Sequence, residues 1–174
     1  MNTFERVIKR VFDFTLALIS LIFFSPLIAL IALLIKWEDP KGDIIYRQER
    51  IGYKGKPFTL YKFRSMRMDA EAGNRPQLFT DGDSRLTKVG AFIRAHHLDE
   101  FPQLWNVIKG EMSFVGPRPE RQFFIDQIME RNPDYVRLYT VRPGLFSYAT
   151  LYNGYTDTIE KMLERLRLDL KYLD

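Results

Sequence analysis

The sequence predicts an α+β fold, mostly helical, in which a small β-hairpin and amphipathic helices follow an N-terminal re-entrant membrane helix. Three observations carry this expectation. Phe14 to Ile35 is apolar except for Thr15, Ser20, Ser25 and Pro26. Two β-type runs, Ile44 to Tyr46 and Phe58 to Phe63, flank a turn-like Gly52 to Pro57. From Leu86 onward, apolar residues recur at three- and four-residue intervals, the period of a helix with one buried face.

The apolar stretch is long enough for one helix to cross a bilayer, which takes about 20 residues. It is too long for a signal peptide and has no clear small-residue cleavage site. Ser25-Pro26 lies near its middle. Proline removes a helical hydrogen bond, and a serine hydroxyl can bond to a carbonyl freed there. Arg6, Lys9 and Arg10 precede the stretch and Lys36, Lys41, Arg47 and Arg50 follow it, so the positive-inside rule finds no clear asymmetry. A kinked crossing helix fits. A hairpin that enters and leaves by the cytoplasmic face satisfies both basic flanks and is the favoured reading. Residues 1–37 are then a membrane element broken at Ser25-Pro26, and 38–174 a cytoplasmic domain.

The chain has 174 residues and no repeat, which suits one compact domain beside the anchor. Its net charge of +4 suits anionic partners: nucleic acid, acidic headgroups or phosphorylated substrates. The absence of cysteine excludes disulfides, thiolate metal sites and a cysteine nucleophile. Only His96 and His97 are histidines, which argues against a histidine-rich zinc site.

Asp39-Pro-Lys-Gly42 is turn chemistry that ends the anchor. The hairpin after it holds Arg47, Arg50, Lys54, Lys56, Lys62, Arg64 and Arg67, partly alternating with aromatics. Such a surface reads as nucleic-acid binding or as a solvated, lipid-facing face. Met68 to Ser84, rich in Asp, Gly, Asn and Pro, reads as a mobile loop or lid. Leu86 to Ala95 has helical spacing and sets Arg94 five residues before Asp99.

A short helix is expected from about Glu100 to Lys109, with Pro102 in its first turn and Gly110 just past its end. Asp99 and Glu100 stand at its N-terminus. They can be a cap and a dipole partner, or reacting groups where backbone N–H groups meet phosphate. Helical spacing resumes from Pro119 to Arg131, and Pro133 stops it. Arg142-Pro-Gly144 is a rigid arginine-bearing turn. Asp157 and Glu160 have capping-box spacing. They precede an apolar face of Ile159, Met162, Leu163, Leu166, Leu170 and Leu173, either core or membrane-interfacial. That pattern runs to Asp174 without a cap, so a C-terminally shortened chain is expected.

Arg118 is fixed between Pro117 and Pro119, which lowers the entropy lost on binding, and its planar fork matches phosphate oxygens. Paired acids, a rigid arginine, further basic residues and an anchor together suggest phosphoryl chemistry on a lipid. A carboxylate can attack phosphorus, and a second can help hold Mg²⁺.

VIKRVFDF (7–14), FSP (24–26), YRQERIG (46–52), FTLYKFRSM (58–66), LDEFPQLWNVIKGEMSFVGPRPE (98–120) and VRPGL (141–145) cover most of the chain. In content and order they resemble the monotopic polyprenyl-phosphate phosphoglycosyl transferases, the bacterial sugar transferase family. The resemblance implies an enzyme that moves sugar-1-phosphate from a UDP-sugar to undecaprenyl phosphate and releases UMP, starting a surface glycan. It implies Asp99 as nucleophile, Glu100 as its partner, both near Mg²⁺, and a re-entrant helix at Ser25-Pro26. Lys62, Arg94, Arg118 and Arg142 would contact phosphate or nucleotide, with Arg64 beside Lys62 as a further candidate. The implied setting is the bacterial inner membrane, with the catalytic domain on its cytoplasmic face against membrane lipid. No nucleic-acid partner is expected, and a homodimer stays open. The competing class is a non-catalytic membrane-anchored basic module that binds anionic lipid or nucleic acid.

The chain departs from the family pattern in two places. His96 and His97 stand where a small polar pair is usual, and a packing or surface role is expected for them. After Gly144 the family commonly reads TGxAQVNGR, whereas this chain reads FSYATLYNGY, with one extra residue and Tyr155 in place of arginine.

Overall fold

The computed structural model describes residues 2–70, 82–153 and 156–173. The fold is α+β. Its helices are α1 (Thr3–Phe23), α2 (Ser25–Glu38), α3 (Lys88–Ala95), α4 (Gln103–Lys109), α5 (Gln122–Arg131), α6 (Thr150–Asn153) and α7 (Ile159–Lys171). Strands β1 (Ile45–Ile51) and β2 (Pro57–Phe63) form the expected hairpin, while β3 (Ser113–Val115) and β4 (Gly144–Phe146) form a second, parallel pair. The described residues divide into two compact units, 2–48, 60–70 and 82–109 in the first, 49–59, 110–153 and 156–173 in the second.

In the first unit, α1 opens with a capping box between Asn2 and Glu5. The break falls at Phe24. Ser25 Oγ donates to Ile22 O at 2.7 Å, and Pro26 occupies the first turn of α2, where its missing N–H is no loss. The two helices meet at a 62° bend. Among the described residues no single helix is long and apolar enough to cross a membrane, whereas this bent pair is by length and composition. Phe4, Phe12, Ile19, Phe23, Leu33 and Trp37 are exposed on it.

The inner face of the pair is polar as well as apolar. Arg10 donates to the Val107 and Ile108 carbonyls, each at 2.6 Å, and so satisfies end carbonyls that α4 cannot pair itself. Asp13 is buried with Lys9 at 3.3 Å. Ile31 and Ile35 of α2 pack with Phe63 and Ile93, and Leu98 and Phe101 lie against this core. Glu38 accepts from the Lys88 and Val89 N–H groups, so the end of α2 caps α3 beside Thr87.

The second unit is built on Ile51, Phe124, Ile125, Ile128, Met162 and Leu166. Ile159, Leu163, Leu170 and Leu173 pack against them, so the apolar face of α7 is core. Its N-cap is Thr158, which accepts from Lys161 N–H at 3.2 Å, rather than Asp157, whose carboxylate pairs with Lys161 Nζ at 2.7 Å. Helix α5 starts at Gln122, later than the Pro119 expected, because Ile51 N–H holds Glu120 O in an extended bridge. Pro133 ends α5 and opens a 3-10 turn, Pro133–Thr140, capped by Asn132. The proposed lid falls largely in 71–81, outside the described residues, as does Tyr155.

Arg10 gives the sharpest stability test. Arg10→Ala should destabilise the chain by about 1.5–3 kcal/mol, the usual worth of hydrogen bonds from a charged donor, with Arg10→Lys intermediate. Chemical denaturation in detergent micelles, followed by tryptophan fluorescence, measures both.

Candidate active site

The expected helix at the acid pair is two pieces. Leu98–Glu100 is a 3-10 turn, and α4 starts only at Gln103, because Pro102 has no N–H to carry the ladder across. The N-cap position of the 3-10 turn is His97, at φ 55, so Asp99 lies inside the turn and not at its cap position. A left-handed histidine is uncommon and bends the chain sharply between α3 and the acid pair. Both histidines are exposed, and His96 Nδ1 lies 2.8 Å from Phe92 O.

Asp99 is only 3% exposed. Lys62 Nζ stands 3.1 Å from a Glu100 oxygen and 3.9 Å from an Asp99 oxygen, so one ammonium serves both carboxylates. β2 delivers it. The Tyr61 N–H beside it donates to Asn106 Oδ1 of α4 at 3.1 Å, and Phe63 on its other side is buried. Phe101, next after the pair, packs at a tilt against Phe24 at the helix break with ring centroids 5.0 Å apart. Arg94 is half-buried in the last turn of α3. Arg64 is 6% exposed, and its guanidinium holds the Asp39 carboxylate and backbone carbonyl at the end of α2. Lys62 and Arg64 of the basic hairpin thus serve internal carboxylates.

The second unit carries the other two arginines. The turns around Arg118 and Arg142 are pinned together by backbone: Gly144 N–H to Pro117 O at 2.9 Å, Gly116 N–H to Phe146 O at 3.0 Å, and Ser113 N–H to Pro143 O at 2.9 Å. Glycine is required at this crossing, since a Cβ on Gly144 would sit 2.2 Å from Gly116 N. Arg142 Nε donates to Gly110 O at 2.8 Å, and its guanidinium lies over the Tyr53 ring. Arg118 N–H donates to Asp169 Oδ2 at 3.4 Å.

Behind Arg118 lies a buried network that the sequence reading missed. Glu120 takes hydrogen bonds from Arg165 and, at 2.7 Å, from Arg50. Arg50 also reaches Pro119 O at 3.1 Å, and Arg165 reaches Thr156 at 2.7 Å. Burial alone would raise the Glu120 carboxyl, but the charges of Arg165, Arg50 and Arg118 hold it at about 2. Asp169 goes the other way: burial lifts it to about 6, against Arg165 and hydrogen bonds from Arg118, Ala149 and Ser147. One signal was available. Arg165 and Asp169 lie on the same stripe of α7 as Met162 and Leu166, and charges on an apolar stripe demand partners.

A family model described as bacterial sugar transferase matches residues 4–174. An Aeromonas hydrophila protein named UDP-N-acetylgalactosamine-undecaprenyl-phosphate N-acetylgalactosaminephosphotransferase is 40% identical over 166 residues, covering 95% of this chain and 39% of that protein. The UDP-glucose:undecaprenyl-phosphate glucose-1-phosphate transferase of Escherichia coli K12 is 41% identical over 171 residues, 97% of this chain and 36% of the other. A Caulobacter vibrioides protein of the same name is 41% identical over 167 residues, 95% and 62%. The chain thus spans under two fifths of the length of the Escherichia coli protein and about three fifths of the Caulobacter one.

The two buried acids predict opposite pH slopes. Glu120 is depressed from 4.5 to about 2, so its contribution is complete above pH 4.5 and is lost as pH falls toward 2. Asp169 is raised from 3.8 to about 6, so the folded state holds its proton more tightly and stability falls as pH rises through that window. Glu120→Gln should cost on the order of 3–5 kcal/mol at neutral pH, because it strands Arg50 and Arg165, and should flatten the acid limb. Asp169→Asn should flatten the slope between pH 4 and 6 instead. Denaturation midpoints between pH 3 and 8 separate the two.

Proposed function

The chain belongs to the bacterial sugar transferase family, and from that premise we propose that it transfers sugar-1-phosphate from a UDP-sugar to undecaprenyl phosphate, releasing UMP. The observation that carries this reading is the buried Asp99 beside Glu100, both facing the Lys62 ammonium. An Asp99 oxygen attacks the sugar-linked phosphorus. The bond from that phosphorus to the bridging oxygen breaks, and UMP leaves with the oxygen and the electron pair. An oxygen of undecaprenyl phosphate then attacks the aspartyl phosphosugar, and Asp99 leaves as a carboxylate. Lys62 offsets the repulsion between the paired acids and the incoming diphosphate. Arg94, Arg118 and Arg142 bind phosphate or nucleotide, Arg118 with a fork preset by two prolines. Arg64, held by Asp39, supports the hairpin in this scheme.

Asp99 and Glu100 are the residues that would hold Mg²⁺. Among the described residues no group of three or more His, Cys, Asp or Glu stands together, and one or two carboxylates with substrate phosphates and water are an ordinary Mg²⁺ set. When bound, the ion neutralises charge on the diphosphate.

The bent α1–α2 pair, with its exposed Phe, Ile and Trp side chains, is the re-entrant anchor in this proposal. Residues 1–37 enter and leave the bacterial inner membrane by its cytoplasmic face, and 38–174 work at that face as the first step of exopolysaccharide, capsule or O-antigen assembly. A non-catalytic lipid- or nucleic-acid-binding module would have no use for a buried acid pair.

Asp99→Asn should abolish UMP release and yet stay folded. Intact-protein mass spectrometry after mixing with a competent UDP-sugar should show a phosphosugar adduct on wild type and none on the variant. Normal turnover by Asp99→Asn would remove the mechanism. Arg118→Lys keeps the charge but loses the fork, and should cost about 1.5–3 kcal/mol in kcat/KM for the UDP-sugar.

A further inference from the structure

Gln103 opens α4 and is 2% exposed, yet its Nε2 is buried with no hydrogen-bond partner. Buried side-chain donors are nearly always satisfied, so an orphan calls for a reason. The contrast lies three residues on. Asn106, fully buried on the same helix, spends its Oδ1 on the Tyr61 N–H at 3.1 Å.

The local backbone says where the orphan stands. Glu100 N–H bonds His97 O, Phe101 N–H bonds Leu98 O, Leu104 N–H bonds Phe101 O, and Trp105 N–H bonds Pro102 O. All four are i to i+3 bonds, two closing the turn that holds the acid pair and two opening α4, on either side of Pro102. Gln103 thus stands three residues after Glu100 and four after Asp99, within one turn of chain from both, and Glu100 is the carboxylate that Lys62 holds at 3.1 Å.

We propose that Gln103 Nε2 is a hydrogen-bond donor to a non-bridging phosphoryl oxygen of the diphosphate donor as Asp99 attacks it. The inference rests on the transferase reading of Asp99. Negative charge in phosphoryl transfer is spread over the non-bridging oxygens, and a preorganised donor in a site shielded from water stabilises it. The amide stays unpaired until the substrate arrives. Its partner is the phosphoryl group, so the orphan is a cost carried by the free protein and removed in the complex.

The test uses the full chain in detergent, with Gln103→Leu and Gln103→Glu beside wild type. Leucine has similar bulk and removes the orphan, so its melting temperature should equal or exceed that of wild type. Its kcat/KM for UMP release from the UDP-sugar should nevertheless fall on the order of 10²-fold, the loss typical of one such donor. Glutamate offers no donor and should lose as much. A leucine variant that melts lower and loses turnover only in proportion to its folded fraction makes Gln103 a packing residue. Near-normal turnover by either variant overturns the donor role. Inorganic pyrophosphate, read by thermal shift, separates this inference from its premise. It should stabilise wild type more than Gln103→Leu. If wild type releases UMP from no UDP-sugar, the transferase reading falls, and the pyrophosphate difference still decides Gln103. Equal shifts, or none, overturn the inference.

Discussion

Two adjacent carboxylates under cover are an electrostatic problem before they are a site. Removing an ion from water costs several kcal/mol, and a like charge next to it adds to that. Lys62 is the structure's answer, and much of the first unit exists to deliver it. β2 carries it, Asn106 of α4 fixes the strand's register through the Tyr61 N–H, and Phe63 roots the strand in the core. The acid turn is followed by Phe101, which packs on Phe24, and α4 after it is tied to Arg10 through its last carbonyls. The apolar N-terminal pair is thereby mechanically continuous with the acid turn.

The second unit solves a different problem: holding an arginine-bearing turn still. The backbone at Arg118 is fixed by its neighbours. Prolines stand on both sides, Asp169 accepts its N–H, and Glu120 two residues on is locked by Arg50 and Arg165. The network sets a carboxylate between two guanidiniums, and the charge of Arg118 acts on the same carboxylate.

The sequence disclosed what is local. Asp99-Glu100 and Pro117-Arg118-Pro119 stand out because their unusual composition is packed into a few residues. The helix break was legible because serine and proline act on their own turn. What depended on distant pairing was hidden. Glu120 meets Arg50 across 70 residues and Arg165 across 45, and no local pattern announces either. β3 and β4 have three residues each, too few for an alternation to register. The apolar stripe of α7 was read correctly as one face, but its reading passed over the two charges set within it. The cap of the same helix was placed one residue early, because the acid spacing looked like a box while the neighbouring threonine hydroxyl was the better acceptor for a backbone N–H.

The crossing of Gly116 and Gly144 separates two kinds of change. Contact there is backbone on backbone, so it survives any substitution outside the glycines themselves, and it fixes both arginine turns as one block. Phe146 is the last residue whose backbone takes part in that registry. A substitution or an inserted residue after Phe146 therefore leaves the spacing of the two arginine turns as it is, and most of the run FSYATLYNGY falls on that side of the block.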